Sequence, residues 1–121
     1  MSRVDEGKRG GGEQVGEMTP LELSQRLEQE QPVVLLDVRE PHEREIADLP
    51  ESGQFRIPLG ELPDRLDELD PEVHLVVYCR SGARSGQAAE FLSAHGFERV
   101  YNLVGGLLRW REDVDPSVKA Y

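Results

Sequence analysis

The chain has 121 residues, with 24 Asp and Glu against 14 Lys and Arg, and a formal net charge of −10 at pH 7. That length supports one domain around one core, and the acidic balance leaves no basic stripe to replace phosphate counterions, which excludes nucleic acid as the main ligand. A single cysteine excludes an internal disulfide, and without a long apolar run or a secretory leader pattern the expectation is a soluble, cytoplasmic protein that meets no membrane.

Residues 1–17 hold Gly7, Gly10, Gly11, Gly12 and Gly16, charges of both signs and almost no large apolar side chain. Such a segment buries too little surface to offset its ordering entropy, so it reads as a flexible tail or interdomain linker, with the folded domain over residues 18–121. Thr19-Pro20-Leu21-Glu22 is a capping box with proline in the first turn and predicts a helix to about Gln29. The apolar run Val33-Val34-Leu35-Leu36 leading to Asp37 and Val38 predicts a strand covered on both faces. Pro41 opens a brief helix over residues 42–47, and Phe55-Arg56-Ile57 is a short strand stopped by Pro58.

Leu62, Leu66 and Leu69 recur at helical spacing, predicting an amphipathic helix over residues 60–69 with Asp64, Arg65 and Glu68 in water. A strand over residues 73–78, a helix from near Arg84 to His95, and Gly96 as a left-handed cap follow. Residues 99–103 form a further strand, Gly105-Gly106 permits close backbone approach, and a short helix carries Leu107, Leu108 and the packing anchor Trp110. Strands alternating with helices specify an α/β fold, a parallel sheet with helices on both faces.

The segment Cys79-Arg80-Ser81-Gly82-Ala83-Arg84-Ser85 sets the only cysteine between a buried strand and a helix. In open α/β sheets ligands bind at that edge. Gly82 and small side chains let main-chain N–H groups converge, and the helix start adds its own, so the loop should form an anion cradle that favours thiolate over thiol. No acid occurs between Glu72 and Glu90, a stretch containing His74, Arg80 and Arg84, which makes a positive island in an acidic chain. The cysteine therefore reads as reactive. His42, His74 and His95 lack zinc-site spacing to Cys79, so no metal is expected, and no phosphate-binding or dinucleotide-binding glycine motif is present.

Four pieces in the same order resemble the rhodanese-like domain: Asp37-Val38-Arg39-Glu40, Ile57-Pro58-Leu59, the loop from Cys79 to Arg84, and Asn102-Leu103-Val104-Gly105-Gly106 leading to Trp110. The resemblance spans residue 18 to about 112 and implies a three-layer fold with a mostly parallel sheet of about five strands. Cysteine phosphatases that share this fold carry the arginine six positions after the cysteine, whereas Arg84 is five positions after Cys79. The shorter loop, as the resemblance implies, fits one outer sulfur rather than a phosphate. Arg80 stands where mercaptopyruvate users have glycine and looks more like the residue of thiosulfate or protein-persulfide users. The stretch Ile46-Ala47-Asp48-Leu49-Pro50-Glu51-Ser52-Gly53 departs from the Gly-His-Ile-Pro-Gly-Ala pattern of many single-domain members. Together with the Asp115-Pro116-Ser117 to Tyr121 ending, it is similar to the C-terminal domain of adenylyltransferases that activate ubiquitin-like sulfur carriers.

The resemblance implies a sulfurtransferase in which Cys79 takes a sulfane sulfur from thiosulfate or a protein persulfide and passes it to cyanide, a thiol or a sulfur-carrier protein. Arg80 and Arg84, with Ser81, Gly82, Ala83 and Ser85, would bind the anionic donor. Arg84 has an alternative role, holding the loop through a carboxylate such as Asp37, with Arg39 lining the same edge. No cofactor is expected. The partners implied are a sulfur-carrier protein or its adenylating enzyme. A docking module on the same fold is the competing reading, and phosphatase or arsenate reductase chemistry, disfavoured by loop length, is a third.

Overall fold

The computed structural model describes residues 15–50 and 53–121. The strands there are β1 (Gly16–Met18), β2 (Val34–Asp37), β3 (Phe55–Arg56), β4 (Leu75–Tyr78) and β5 (Val100–Leu103), and the α-helices are α1 (Pro20–Glu28), α2 (Ala83–Ala94) and α3 (Gly106–Asp113). The strands make one five-stranded sheet in the order β1-β5-β4-β2-β3, and every pairing is parallel.

Strand β4 is central, with all four residues buried, and it pairs with β2 through Val34 opposite Leu75 and Leu36 opposite Val77. Alternation along these strands assigns the two faces. Leu36, Leu75 and Val77 meet Ala88, Ala89 and Leu92 of α2, while Leu35, Val76 and Tyr78 meet Leu23 of α1 and Leu107 and Trp110 of α3. A one-residue slip would exchange the sets, so the core itself fixes the register. From β2 the chain moves outward to β3 and from β4 outward to β5 on the other side. The carboxyl ends of β2 and β4 therefore flank the point where strand order reverses, which is where open sheets leave a crevice.

The expected elements form, the brief helix over residues 42–47 as a 3-10 segment at Pro41–Glu45, with two larger departures. First, the expected tail ran to residue 17, but Gly16 and Glu17 are in β1, opposite Tyr101 and Asn102. A Cβ on Gly16 would lie 2.6 Å from the Tyr101 ring, so glycine here permits close packing. Residues 1–14 of that segment lie outside the described residues. Second, the single helix expected over residues 60–69 is two 3-10 segments, Leu59–Asp64 and Leu66–Glu68. Pro63 has no N–H to donate and breaks the helical ladder, although Leu62 and Leu69 still reach the core.

Helix α1 carries the expected capping box: Glu22 N–H donates to Thr19 Oγ1 at 3.1 Å, and Thr19 N–H donates to Glu22 Oε1 at 2.8 Å. Gly96 has a φ of 96°, and Phe97 N–H donates back to Leu92 O at 3.1 Å, closing α2.

Candidate active site

Cys79 follows the last residue of β4 and is 1 % exposed. The next residues turn sharply, and Gly82 takes the left-handed conformation, φ 103°, that starts α2. The first helical bond of α2 runs from Gly86 N–H to Gly82 O, so the N–H groups of Ala83, Arg84 and Ser85 precede the ladder. The Ser85 N–H donates to Cys79 Sγ at 3.4 Å and the Gly82 N–H donates to it at 3.1 Å. Burial alone would raise the Cys79 thiol. Hydrogen bonds from Ser85, Gly82 and Ser81 outweigh burial and hold the thiol below its ordinary pKa.

Two further contacts hold the loop. Leu107 N–H at the start of α3 donates to Cys79 O at 3.1 Å, and Leu108 N–H donates to Arg80 O at 3.0 Å. The preceding Gly106 has a φ of 58°, and a Cβ there would lie 2.5 Å from Cys79 O. Behind the sulfur, the Ser85 hydroxyl lies 3.4 Å from Sγ and donates to Asn102 Oδ1 at 2.6 Å, while Asn102 Nδ2 donates to Gly82 O at 3.2 Å.

The two loop arginines differ. Arg84 makes a bidentate pair with Glu43, at 2.7 and 2.9 Å. Its hydrogen bonds, against the opposing effect of burial, hold the Glu43 carboxyl down at about 2. Glu43 also accepts from the Glu40 N–H at 3.0 Å and from the Tyr121 hydroxyl at 3.0 Å. Arg80 is exposed, lies over the Tyr121 ring at 5.3 Å, and donates through Nε to the Tyr121 main-chain oxygen. Ser81 and Ala83 are exposed on the loop rim.

Asp37 is not the partner of Arg84. It binds Arg39 through both carboxylate oxygens, at 2.9 and 3.0 Å, and Arg56 at 2.8 Å. Arg39 is 3 % exposed, and its remaining donors go to Ala47 O at 2.9 Å, the Tyr121 hydroxyl at 2.9 Å and Asp48 at 3.3 Å. Burial opposes its charge, and these bonds outweigh burial and raise its pKa. Asp48 also takes two bonds from Arg56 and lies 3.0 Å from the Tyr78 hydroxyl. Asp37 and Arg39 thus brace the segment that presents Glu43, away from the sulfur. Among the described residues no group of three or more His, Cys, Asp or Glu is placed to hold a metal ion.

A profile of the Rhodanese-like domain matches residues 19–113. The chain belongs to the rhodanese-like domain family. A protein named "Sulfurtransferase" from Allochromatium vinosum is 41 % identical over 104 residues, covering 86 % of this chain and 95 % of that one. "Putative sulfurtransferase YtwF" of Bacillus subtilis is 30 % identical over 104 residues, covering 86 % and 98 %. "Adenylyltransferase and sulfurtransferase MOCS3" of Arabidopsis thaliana is 33 % identical over 118 residues, but only 25 % of its length is matched. A rhodanese-like domain protein from Staphylococcus aureus superposes with a TM-score of 0.74 at 27 % identity, covering 88 % of this chain and 99 % of that one.

Sequence reasoning missed Glu43, Asn102 and Tyr121. Glu43 is one acid among Glu40, Glu45, Asp48 and Glu51 with nothing local to single it out, and Tyr121 reaches Arg80 across 41 positions. A signal existed for Asn102, an amide inside an otherwise apolar strand between Tyr101 and Leu103.

Proposed function

We propose that the protein is a sulfurtransferase that carries sulfane sulfur as a persulfide on Cys79. The observation that carries this reading is a buried thiol at the carboxyl edge of the central strand, receiving main-chain N–H groups from Gly82 and Ser85. In the first half-reaction the Cys79 thiolate attacks the outer sulfur of thiosulfate or of a protein persulfide. A new S–S bond forms, the donor bond breaks, and its electron pair leaves with sulfite or the donor thiolate. The outer persulfide sulfur then bears the charge, and the loop N–H groups stabilise it. In the second half-reaction a nucleophile such as cyanide, a thiol or the terminus of a sulfur-carrier protein takes that sulfur, and the bonding pair returns to Cys79.

Arg80, exposed at the loop rim, is the group that meets an anionic donor. Arg84, neutralised by Glu43, holds the loop against the Glu40–Glu43 turn. A sulfur-carrier protein or its adenylating enzyme as partner is supported by the names of relatives: the Arabidopsis protein above, and "Putative sulfur carrier protein YrkF" of Bacillus subtilis, 38 % identical over 88 residues. A reducing cytoplasm suits the free thiol.

The test is intact-mass spectrometry after incubation with thiosulfate or a persulfide donor, followed by cyanide. One sulfur atom gained by the wild type, removed by cyanide and never gained by Cys79→Ser is the expected result. A wild type that gains no sulfur from either donor would overturn the reading in favour of a docking module.

A further inference from the structure

We propose that Asn102 is a positioning residue that holds the Ser85 hydroxyl away from Cys79 while the sulfur is uncharged and yields it as negative charge develops there. The inference rests on the sulfurtransferase reading and deepens it.

Counting hydrogens establishes the arrangement. A main-chain carbonyl accepts only a donor, so the 3.2 Å contact to Gly82 O fixes the Asn102 amide with its nitrogen on Gly82 and its oxygen on Ser85. Asn102 Oδ1 then takes the single Ser85 hydroxyl proton at 2.6 Å. The hydroxyl has no second proton for the sulfur 3.4 Å away. Toward Cys79 it offers lone pairs, which suit a thiol S–H as donor and repel a thiolate. On ionisation, the hydroxyl must either stay and face a charged sulfur with its lone pairs, or rotate to donate to the sulfur and strand the Asn102 oxygen. Asn102 therefore opposes Ser85 as a stabiliser of the thiolate.

The chemistry uses both settings. In the persulfide, Sγ is bonded to a second sulfur and carries little charge, so the hydroxyl rests on Asn102. When an acceptor thiolate attacks the outer sulfur, the S–S pair returns to Sγ, and the Ser85 O–H turns to the leaving thiolate. A hydrogen bond made only as that charge appears favours the transition state over the resting persulfide.

The other groups around the sulfur do not duplicate this. Arg80 and Arg84 are the loop's cations, and Arg84 interacts with the Cys79 charge. Glu43 and Tyr121 bear on the loop through Arg84 and Arg80. From β5 the contact is the uncharged Asn102, and from α3 it is main-chain N–H alone.

The experiment measures the pH dependence of Cys79 alkylation by iodoacetamide, read by intact mass, in wild type, Asn102→Ala, Ser85→Ala and the double variant. Ser85→Ala is expected to raise the thiol pKa by about one, and Asn102→Ala to lower it by about one, the scale of one hydrogen bond to a charged atom. In the Ser85→Ala background Asn102→Ala is expected to add nothing, and Ser85→Thr should restore the coupling. Sulfur release to a thiol acceptor should slow about tenfold in Ser85→Ala. If Asn102→Ala does not fold, Asn102→Ser, too short to bridge Gly82 and Ser85, replaces it. A pKa that rises or stays put on loss of Asn102, or that shifts equally without Ser85, overturns the proposal. Intact coupling in a protein that takes up no sulfur sinks the sulfurtransferase reading and leaves the two-setting hydroxyl standing.

Discussion

Glu43→Gln removes one charge from the loop's brace while keeping the side chain's size, and its cost can be worked from the structure. The Glu43 carboxyl titrates at about 2 in the fold against an ordinary 4.5, held there by two bonds from Arg84 against opposing burial, and then by the Glu40 N–H and the Tyr121 hydroxyl. A gap of about 2.5 would correspond to roughly 3 kcal/mol, but the Arg84 side chain is 36 % exposed, so solvent screening reduces this to about 1–2 kcal/mol. A carboxyl whose folded pKa is depressed contributes stability above its unfolded pKa and loses it as pH falls toward the folded value. The deficit of Glu43→Gln should therefore be complete at pH 7, shrink from about pH 4.5 downward, and vanish near pH 2. Urea unfolding followed by fluorescence of the buried Trp110 reads it, with a midpoint lower by about 1 M at pH 7. A deficit equally large at pH 7 and pH 2.5 would refute the electrostatic account and assign the loss to packing. No deficit at pH 7 would show that the pair contributes nothing net.

Further outcomes follow from the same geometry. Gly106→Ala forces a Cβ to 2.5 Å from Cys79 O and 2.6 Å from Arg80 O at a φ of 58°. It is expected to cost about 2–4 kcal/mol and to impair sulfur uptake, whereas Gly60→Ala, with nothing within 4 Å, should do neither in the same thermal melts and mass assays. Arg80→Ala should raise KM for thiosulfate about tenfold and affect a protein persulfide donor less, and equal losses would remove Arg80 from sulfonate recognition. Tyr121→Ala removes the ring over Arg80, leaves the main-chain oxygen that Arg80 Nε binds, and should lower KM for thiosulfate by up to ~5-fold, since an exposed contact is worth less than about 1 kcal/mol. Tyr121→Phe keeps the ring on Arg80 and should leave KM unchanged, and a matching drop in Tyr121→Phe would contradict the assignment.

The elements were legible where one local force dominates. The apolar runs at 33–36 and 73–78 marked buried strands, the Thr19 capping box marked α1, and the small residues after Cys79 marked a turn into a helix. Local signals misled where two forces share a signature. Glycine at position 16 looked like disorder because close packing and chain flexibility use the same residue, and only the Tyr101 ring beside it distinguishes them. The leucine spacing from 62 to 69 indicated a buried face correctly but not its backbone, because Pro63 removes the N–H that an α-helix needs there.

The proposed reactive centre is local. Cys79, Gly82 and Ser85 lie within six positions of one another, and the N–H groups that cradle the sulfur belong to the same turn. The sequence by itself therefore placed the proposed site in one turn. What tertiary structure decided is how the site is tuned. Parallel pairing of β4 with β5 carries Asn102 to Ser85, the β2 edge delivers Glu43 to Arg84, and the segment after α3 returns Tyr121 to Arg80. Each partner is a common polar residue whose role depends on distance in space, and distance in space between remote residues follows from sheet order and core packing rather than from local spacing.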